Sequence, residues 1–187
     1  MNIKHIFFDL DHTLWDFETN SKRTFSHIFE RNDLNVIFND FIEVYQPINH
    51  RYWKLFREDK VSKADLRYGR LREAFDGIKF DVSDEMIHLL SEEYITYLAD
   101  HNELFDNAFT VLDYLKPQYN MHIITNGFEE VQHRKLNNSK LLPFFDQVIT
   151  SEKVGVKKPN PVIFEYALDI TGAGAYESVM IGDNFEA

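Results

Sequence analysis

The chain has 187 residues, 44% of them hydrophobic and 27% charged, which excludes a disordered polymer, a collagen and an array of short polar repeats. Its 31 acidic and 20 basic residues give a net charge of −11, so no whole-chain field attracts it to nucleic acid or to an anionic membrane. The absence of cysteine excludes disulfides, a thiolate nucleophile and a thiolate zinc site, and fits a reducing compartment. No apolar run reaches the ~18 residues of a membrane span, so we expect a cytoplasmic protein.

The first predicted element is a strand near the amino terminus. Residues 3–10 form a short run rich in β-forming residues, which is typical of a buried strand. Asp9 and Asp11 then lie at its carboxyl end.

Helical periodicity follows over residues 17–101, where apolar residues recur at every third or fourth position. Pro47 is expected to kink or divide the second helical stretch. Ser62 and Asp65 have the spacing of a capping box at the start of the third, and Ser83 can cap the fourth. The sequence therefore predicts an almost wholly helical segment.

Strand and helix patterns alternate over the rest of the chain. This alternation predicts a parallel sheet covered by helices on both faces. The expected elements are helix 107–116, strand 121–125, helix 129–138, strand 147–150, helix 161–170 and strand 178–181.

The predicted fold class is therefore α/β, with a Rossmann-like parallel-sheet core formed by residues 1–16 and 102–187 and an inserted helical domain of residues 17–101. The sequence stops directly after a strand, where an open parallel sheet would normally be covered. We therefore expect the carboxyl-terminal part of the core to be missing from this sequence.

Polar residues follow four of the predicted strands. Ligands of open α/β sheets bind beyond the carboxyl ends of the strands, so these segments should converge on one crevice. Each segment alone has an ordinary explanation as a turn, a helix cap or a surface lysine. Their joint occurrence at strand ends favours a functional site. The segments are Asp9-Leu10-Asp11, Thr125-Asn126-Gly127, Ser151 to Lys158, and Gly182-Asp183.

These segments resemble the four motifs of the haloacid dehalogenase (HAD) superfamily, and the helical insertion resembles that superfamily's α-helical cap. The motifs are Phe7-Phe8-Asp9-Leu10-Asp11-His12-Thr13-Leu14, Ile123-Ile124-Thr125-Asn126-Gly127, Val154-Gly155-Val156-Lys157-Lys158-Pro159-Asn160-Pro161 and Met180-Ile181-Gly182-Asp183. With the extensions Trp15-Asp16-Phe17, Phe128 and Val162 to Leu168, they are similar to the noncanonical pyrimidine 5′-nucleotidases.

The resemblance implies hydrolysis of a phosphate monoester through an aspartyl-phosphate. It makes Asp9 the nucleophile and Asp11 the general acid and base. It also implies that the Thr125 hydroxyl, the Asn126 backbone N–H and Lys158 hold the phosphoryl oxygens.

Magnesium is the cofactor that the resemblance implies. Its expected ligands are the carboxylate of Asp9, the backbone carbonyl of Asp11 and the carboxylate of Asp183. Glu186 is a candidate for a further acidic residue near the ion.

The expected partner is a small phosphorylated metabolite, with a nucleotide favoured and no nucleic acid polymer or membrane. Trp53 and Phe17 are the candidates for stacking on a nucleobase, and Arg67 or Arg70 for a polar contact. The sequence does not determine the exact substrate or the oligomeric state.

Several alternatives remain open. A phosphatase or phosphomutase for sugar phosphates would keep both Asp9 and Asp11. A non-catalytic or truncated domain of the same fold would bind without turnover. A dehalogenase is disfavoured, because relatives with that activity lack an aspartate at the Asp11 position.

Overall fold

A computed structural model describes residues 2–185, so Glu186, the candidate for an additional metal-site acid, lies outside the described residues. The chain divides into two compact units, Met1–Asn20 with Ala99–Ala187, and Ser21–Leu98. Compactness alone does not define an independently folding domain, so the boundaries at residues 17 and 101 stay a prediction. The expected continuation of the core beyond residue 187 also stays a prediction.

The observed elements follow the predicted order of one strand, a helical segment and then alternating helices and strands. Short 3-10 turns lie at Leu98–Asp100, Leu142–Phe144 and Ala175–Glu177. The strands and α-helices are β1 (His5–Phe8), α1 (Phe17–Arg31), α2 (Phe38–Arg57), α3 (Lys63–Gly77), α4 (Asp84–Tyr97), α5 (Ala108–Leu115), β2 (Asn120–Thr125), α6 (Glu129–Asn138), β3 (Gln147–Thr150), α7 (Ser151–Val154), α8 (Pro161–Thr171) and β4 (Ser178–Ile181).

The first unit contains a four-stranded sheet in the order β3-β2-β1-β4, with every neighbouring pair parallel. Phe8 at the end of β1 pairs with Ile123 of β2 and Ile181 of β4, and Thr125 pairs with Thr150 of β3. This register brings the carboxyl ends of all four strands to one edge. The prediction of an α/β fold with a parallel sheet is confirmed.

One apolar cluster joins the sheet to α8. Phe7, Ile124 and Ile149 from three strands contact Ile163 and Ala167 of the helix, and all five side chains are buried. Burying a side chain of the size of Ile or Phe stabilises a fold by about 1.5–3 kcal/mol relative to exposing it. The cluster fixes the strands whose ends carry the polar segments.

The helices of the second unit begin where the serines predict. The Ser62 hydroxyl accepts from the Asp65 backbone N–H at 3.1 Å, and the Asp65 carboxylate accepts from the Ser62 N–H at 3.0 Å. The Ser83 hydroxyl accepts from the Met86 N–H at 3.3 Å at the start of α4. Both predicted caps are confirmed.

Pro47 does not divide the second helix, because α2 runs unbroken from Phe38 to Arg57. Proline removes the hydrogen bond to the carbonyl four residues earlier, which belongs to Glu43. Glu43 and Pro47 are both exposed, so water can satisfy that carbonyl. The prediction of a division at Pro47 is therefore wrong.

None of the helices among the described residues combines the length and the apolar character needed to cross a membrane.

Candidate active site

The loop after β1 carries the two aspartates and turns back on itself. The Leu10 carbonyl accepts from the backbone N–H groups of Leu14 at 3.0 Å and Trp15 at 2.9 Å. His12 takes a left-handed conformation, with φ of 61°. The tight turn places Asp11 and the buried Trp15 side by side in the fold, and an isolated bridge links their backbones.

Asp9 lies directly beside a buried lysine. The Asp9 Oδ1 atom is 3.0 Å from the ammonium nitrogen of Lys158, whose side chain is 1% exposed. The same oxygen accepts from the Leu10 N–H at 2.8 Å. Burial raises the pKa of Asp9 above its usual range; the charge of Lys158 acts in the opposite direction, and that of Asp11 raises the pKa further.

The buried Lys158 ammonium has N–H donors that lack an acceptor within residues 2–185. Although it is close to Asp9, it has no well-aligned hydrogen-bond acceptor among the described residues. A buried ammonium normally has all of its donors satisfied. An anion bound next to Asp9 could therefore accept hydrogen bonds from the Lys158 ammonium.

The side chain of Asn126 holds the backbone of Lys158. Asn126 Nδ2 donates to the Lys158 carbonyl at 3.0 Å, and the Lys158 N–H donates to Asn126 Oδ1 at 2.8 Å. One turn of helix, α7, which was not predicted, precedes this segment and ends at Gly155 with φ of 86°. The Thr150 hydroxyl caps it by accepting from the Lys153 N–H at 3.3 Å. Sequence reasoning assigned only the backbone of Asn126, and this side-chain contact adds a structural role.

Thr125 ends β2 with its hydroxyl oxygen already accepting two hydrogen bonds. The donors are the Gly127 N–H at 3.1 Å and Gln132 Nε2 at 2.7 Å. Because both bonds use the oxygen as acceptor, the hydroxyl hydrogen must point to another acceptor. A phosphoryl oxygen is such an acceptor.

Two residues of α6 that the sequence reasoning missed contact Asp11. Lys135 Nζ lies 2.6 Å from Asp11 Oδ1, and Gln132 Nε2 donates to Asp11 Oδ2 at 2.9 Å. Both side chains are buried, on the same helix face as Val131 and Leu136. A sequence signal did exist, since two polar residues occupy apolar positions of a predicted helix.

Asp183 follows β4 at the same edge of the sheet, and it is exposed. The Asp9 N–H donates to the Ile181 carbonyl at 2.8 Å, which extends the pairing of β1 and β4 past the strand ends. A Cβ atom added to Gly182 would lie 3.5 Å from that of Asp9. The main chain before Asp183 thus runs alongside the first aspartate.

The residues at this edge fit a hard divalent cation. Asp9 and Asp183 offer carboxylates and Asp11 offers a backbone carbonyl, and oxygen is the donor that Mg²⁺ prefers. Burial raises the pKa of Asp9 more than the charge of Lys158 lowers it. Additional positive charge beside Asp9 would favour the ionised carboxylate.

The chain is similar to several known proteins. The family model "haloacid dehalogenase-like hydrolase" matches residues 3–186. The pyrimidine 5′-nucleotidase PynA of Streptococcus pneumoniae is 32% identical over 100% of this chain and 78% of its own length. The glyceraldehyde 3-phosphate phosphatase of Methanothermobacter thermautotrophicus is 32% identical over 98% of this chain and 78% of its own length.

A solved structure is also similar. The HAD-hydrolase YfnB of Bacillus subtilis, solved bound to magnesium, superposes with a TM-score of 0.91 and 28% identity. The match covers 100% of this chain and 82% of that one.

Proposed function

The chain belongs to the haloacid dehalogenase-like hydrolases and is a phosphohydrolase, and from this premise we propose that it cleaves nucleoside 5′-monophosphates of the pyrimidine type through an aspartyl-phosphate on Asp9. The observation that supports this most directly is the buried Lys158 ammonium 3.0 Å from Asp9 Oδ1. The Lys158 ammonium offsets the charge of Asp9 and can donate hydrogen bonds to a phosphoryl oxygen beside it, while the remaining negative charge of the phosphoryl group requires a further cation.

In the first step, Lys158, the Thr125 hydroxyl and the Asn126 N–H hold the phosphoryl oxygens. An oxygen of Asp9 attacks phosphorus, and the bond from phosphorus to the ester oxygen breaks. Asp11 gives its proton to the departing alkoxide, so the alcohol leaves neutral.

In the second step, Asp11 takes a proton from a water molecule as that water attacks phosphorus. The bond between Asp9 and phosphorus breaks, so the carboxylate is restored and inorganic phosphate is released. Asp9, Asp183 and the Asp11 carbonyl would hold Mg²⁺, which supplies positive charge that offsets the charge of the phosphoryl group.

The nucleotide substrate rests on the motif resemblance and on the PynA similarity. The matching similarity to glyceraldehyde 3-phosphate phosphatase supports a sugar-phosphate phosphatase as the second candidate. A phosphomutase would use the same residues but return the phosphoryl group to a second sugar oxygen instead of to water. A cytoplasmic location completes the proposal, because the cysteine-free sequence fits a reducing compartment.

The test is release of inorganic phosphate from a panel of pyrimidine nucleotides, purine nucleotides and sugar phosphates, with magnesium and with a chelator. We expect magnesium-dependent release that is fastest with pyrimidine monophosphates, and loss of that release in Asp9→Asn. Asp113→Asn is the matched control, because it removes an exposed carboxylate of α5.

Undiminished turnover in Asp9→Asn would contradict the assignment of Asp9 as the nucleophile. Faster release from sugar phosphates would favour the second candidate, and a phosphate found on a second sugar position would favour the phosphomutase.

A further inference from the structure

Two polar residues, Gln132 and Lys135, lie on the buried face of α6 and contact the loop that follows β1. Gln132 is 1% exposed and Lys135 is 2% exposed. Burying an amide and an ammonium costs free energy unless both are well partnered. Their partners therefore indicate what the pair does.

Both oxygens of the Asp11 carboxylate are bound by this pair. Lys135 Nζ lies 2.6 Å from Oδ1 and Gln132 Nε2 lies 2.9 Å from Oδ2. One donor on each oxygen fixes the rotation of the carboxylate about its bond to Cβ. Asp11 is thereby held in one orientation, although its loop contains a left-handed residue at His12.

The Lys135 ammonium is itself held by aromatic rings. It lies 4.1 Å from the centroid of the Trp15 ring and 5.4 Å from that of Phe17. Ring faces attract a cation without accepting strong hydrogen bonds, so they hold Lys135 while its donors remain directed at Asp11. Trp15 and Asp11 belong to the same tight loop. The loop that carries Asp11 therefore also helps to position Lys135.

Gln132 connects Asp11 to the phosphate-binding side of the site. Its amide nitrogen donates to Asp11 Oδ2 and also to the Thr125 hydroxyl oxygen at 2.7 Å. The opposite orientation of the amide would point its oxygen at the carboxylate, which can only accept when ionised. One side chain therefore sets the distance between the Asp11 carboxylate and the Thr125 hydroxyl.

We propose that Lys135 and Gln132 are positioning residues that hold the Asp11 carboxylate at the ester oxygen of the substrate. The inference rests on the proposed function, in which Asp11 protonates the leaving alkoxide. Neither residue touches substrate, and each acts through Asp11 and Thr125. Orientation of a general acid matters because proton transfer in the transition state requires hydrogen-bond reach.

The test uses the leaving group. An alkoxide from a nucleoside monophosphate needs the Asp11 proton, whereas the nitrophenolate of p-nitrophenyl phosphate leaves without one. A positioning residue for Asp11 should therefore affect the first substrate far more than the second. A merely structural residue should affect both alike.

We expect Lys135→Met to lower kcat/KM for the nucleotide by about 30-fold, within the range that general acid catalysis contributes, and to change kcat/KM for p-nitrophenyl phosphate by less than about threefold. The ratio kcat/KM reports the first step, so the role of Asp11 as a base in the second step does not enter the comparison. KM for the nucleotide should change little, and Lys135→Arg should restore part of the loss. Gln132→Met is a second variant, and we expect it to show the same difference between the nucleotide and p-nitrophenyl phosphate. Lys153→Met is the control, since it removes an exposed lysine of α7.

The same assay with Asp11→Asn separates the two claims. If Asp11→Asn does not slow the nucleotide more than p-nitrophenyl phosphate, the acid role of Asp11 in the proposed function is wrong. If Asp11→Asn shows the split but Lys135→Met and Gln132→Met slow both substrates equally or neither, the positioning role is overturned. Lys135→Met added to Asp11→Asn should cause no further loss for the nucleotide, and a further tenfold loss would also overturn it.

Discussion

Each of the two compact units buries positively charged side chains, but the partners differ. In the first unit, Lys158 lies 3.0 Å from a carboxylate oxygen of Asp9. In the second, the buried Arg70 donates to the amide oxygen of Asn49 at 2.9 Å and lies 4.9 Å from the Tyr94 ring centroid. A cation beside a carboxylate forms a site whose charges can rearrange around an anion, whereas a cation among neutral groups fixes a core.

The first prediction removes the cation beside the nucleophile. Lys158→Met should lower kcat/KM for phosphate release by on the order of 10³-fold, because a preorganised charge facing the transition state is lost. Steady-state phosphate release measures this effect. Lys153→Met should stay close to wild type, and a loss of less than tenfold in Lys158→Met would contradict the role of the ion pair.

The second prediction removes the neutral partner of the other cation. Asn49→Ala should lower the free energy of unfolding by about 2–3 kcal/mol, since it removes the acceptor of a buried Arg70 donor. Denaturant unfolding measures this change. Turnover of p-nitrophenyl phosphate, measured well below the unfolding transition, should stay within about twofold of wild type. A large loss of turnover with unchanged stability would contradict the purely structural role that we assign to Arg70 and Asn49.

The third prediction disturbs the site through a glycine. Gly127 does not have a positive φ, but an added Cβ would overlap the side chain amide of Gln132. Gly127→Ala should therefore displace Gln132 and lower kcat for a nucleotide by about tenfold, a cost of about 1.4 kcal/mol in the barrier. The double variant Gly127→Ala with Gln132→Ala should match Gln132→Ala alone. If the double variant loses activity additively, the overlap is not the cause.

The fourth prediction concerns a buried pair at the other end of the sheet. His122 Nε2 lies 3.1 Å from His5 Nδ1, and burial lowers the pKa of His122, with Asp146 acting in the opposite direction. The unfolded chain therefore takes up a proton at His122 before the folded chain does as the pH falls below about 6.5. The free energy of unfolding should therefore decrease as the pH falls from 7.5 to 5.5 because of this residue.

Denaturant unfolding over that pH range checks the expected slope. His122→Gln should flatten the dependence, and an unchanged slope would contradict the assignment. The activity of the folded protein should not follow this titration, which sharpens the contrast between residues that stabilise the sheet and residues that serve its carboxyl edge.

Periodicity in the sequence predicted most of the fold. Residues 129–138 and 178–181 coincide with α6 and β4, since the apolar pattern and flanking residues are local signals. The sequence did not decide between a kink and a division of the helix at Pro47, because the cost of a proline depends on whether water reaches the freed carbonyl; the continuous helix rules out the division.

The candidate site was only partly predictable. Asp9 and Asp11 were identified because they follow a strand whose end lies at the ligand-binding edge, and Lys158 because its segment resembles a HAD motif. The contacts of Gln132 and Lys135 with Asp11 join positions more than 120 residues apart. The local pattern can mark the two as polar residues at apolar helix positions, but it cannot reveal that Asp11 is their partner. The contacts depend on how α6 packs against the β1 loop, which only the folded structure determines.

The central claim is that Asp9 becomes covalently phosphorylated during turnover. Its most direct test is to quench the enzyme during steady-state hydrolysis of p-nitrophenyl phosphate, reduce it with borohydride and sequence the amino-terminal peptide by mass spectrometry. An acyl phosphate is reduced to the alcohol, so we predict homoserine at position 9. Its absence from Asp9 in a sample that is turning over, or its appearance at another aspartate, would contradict the account.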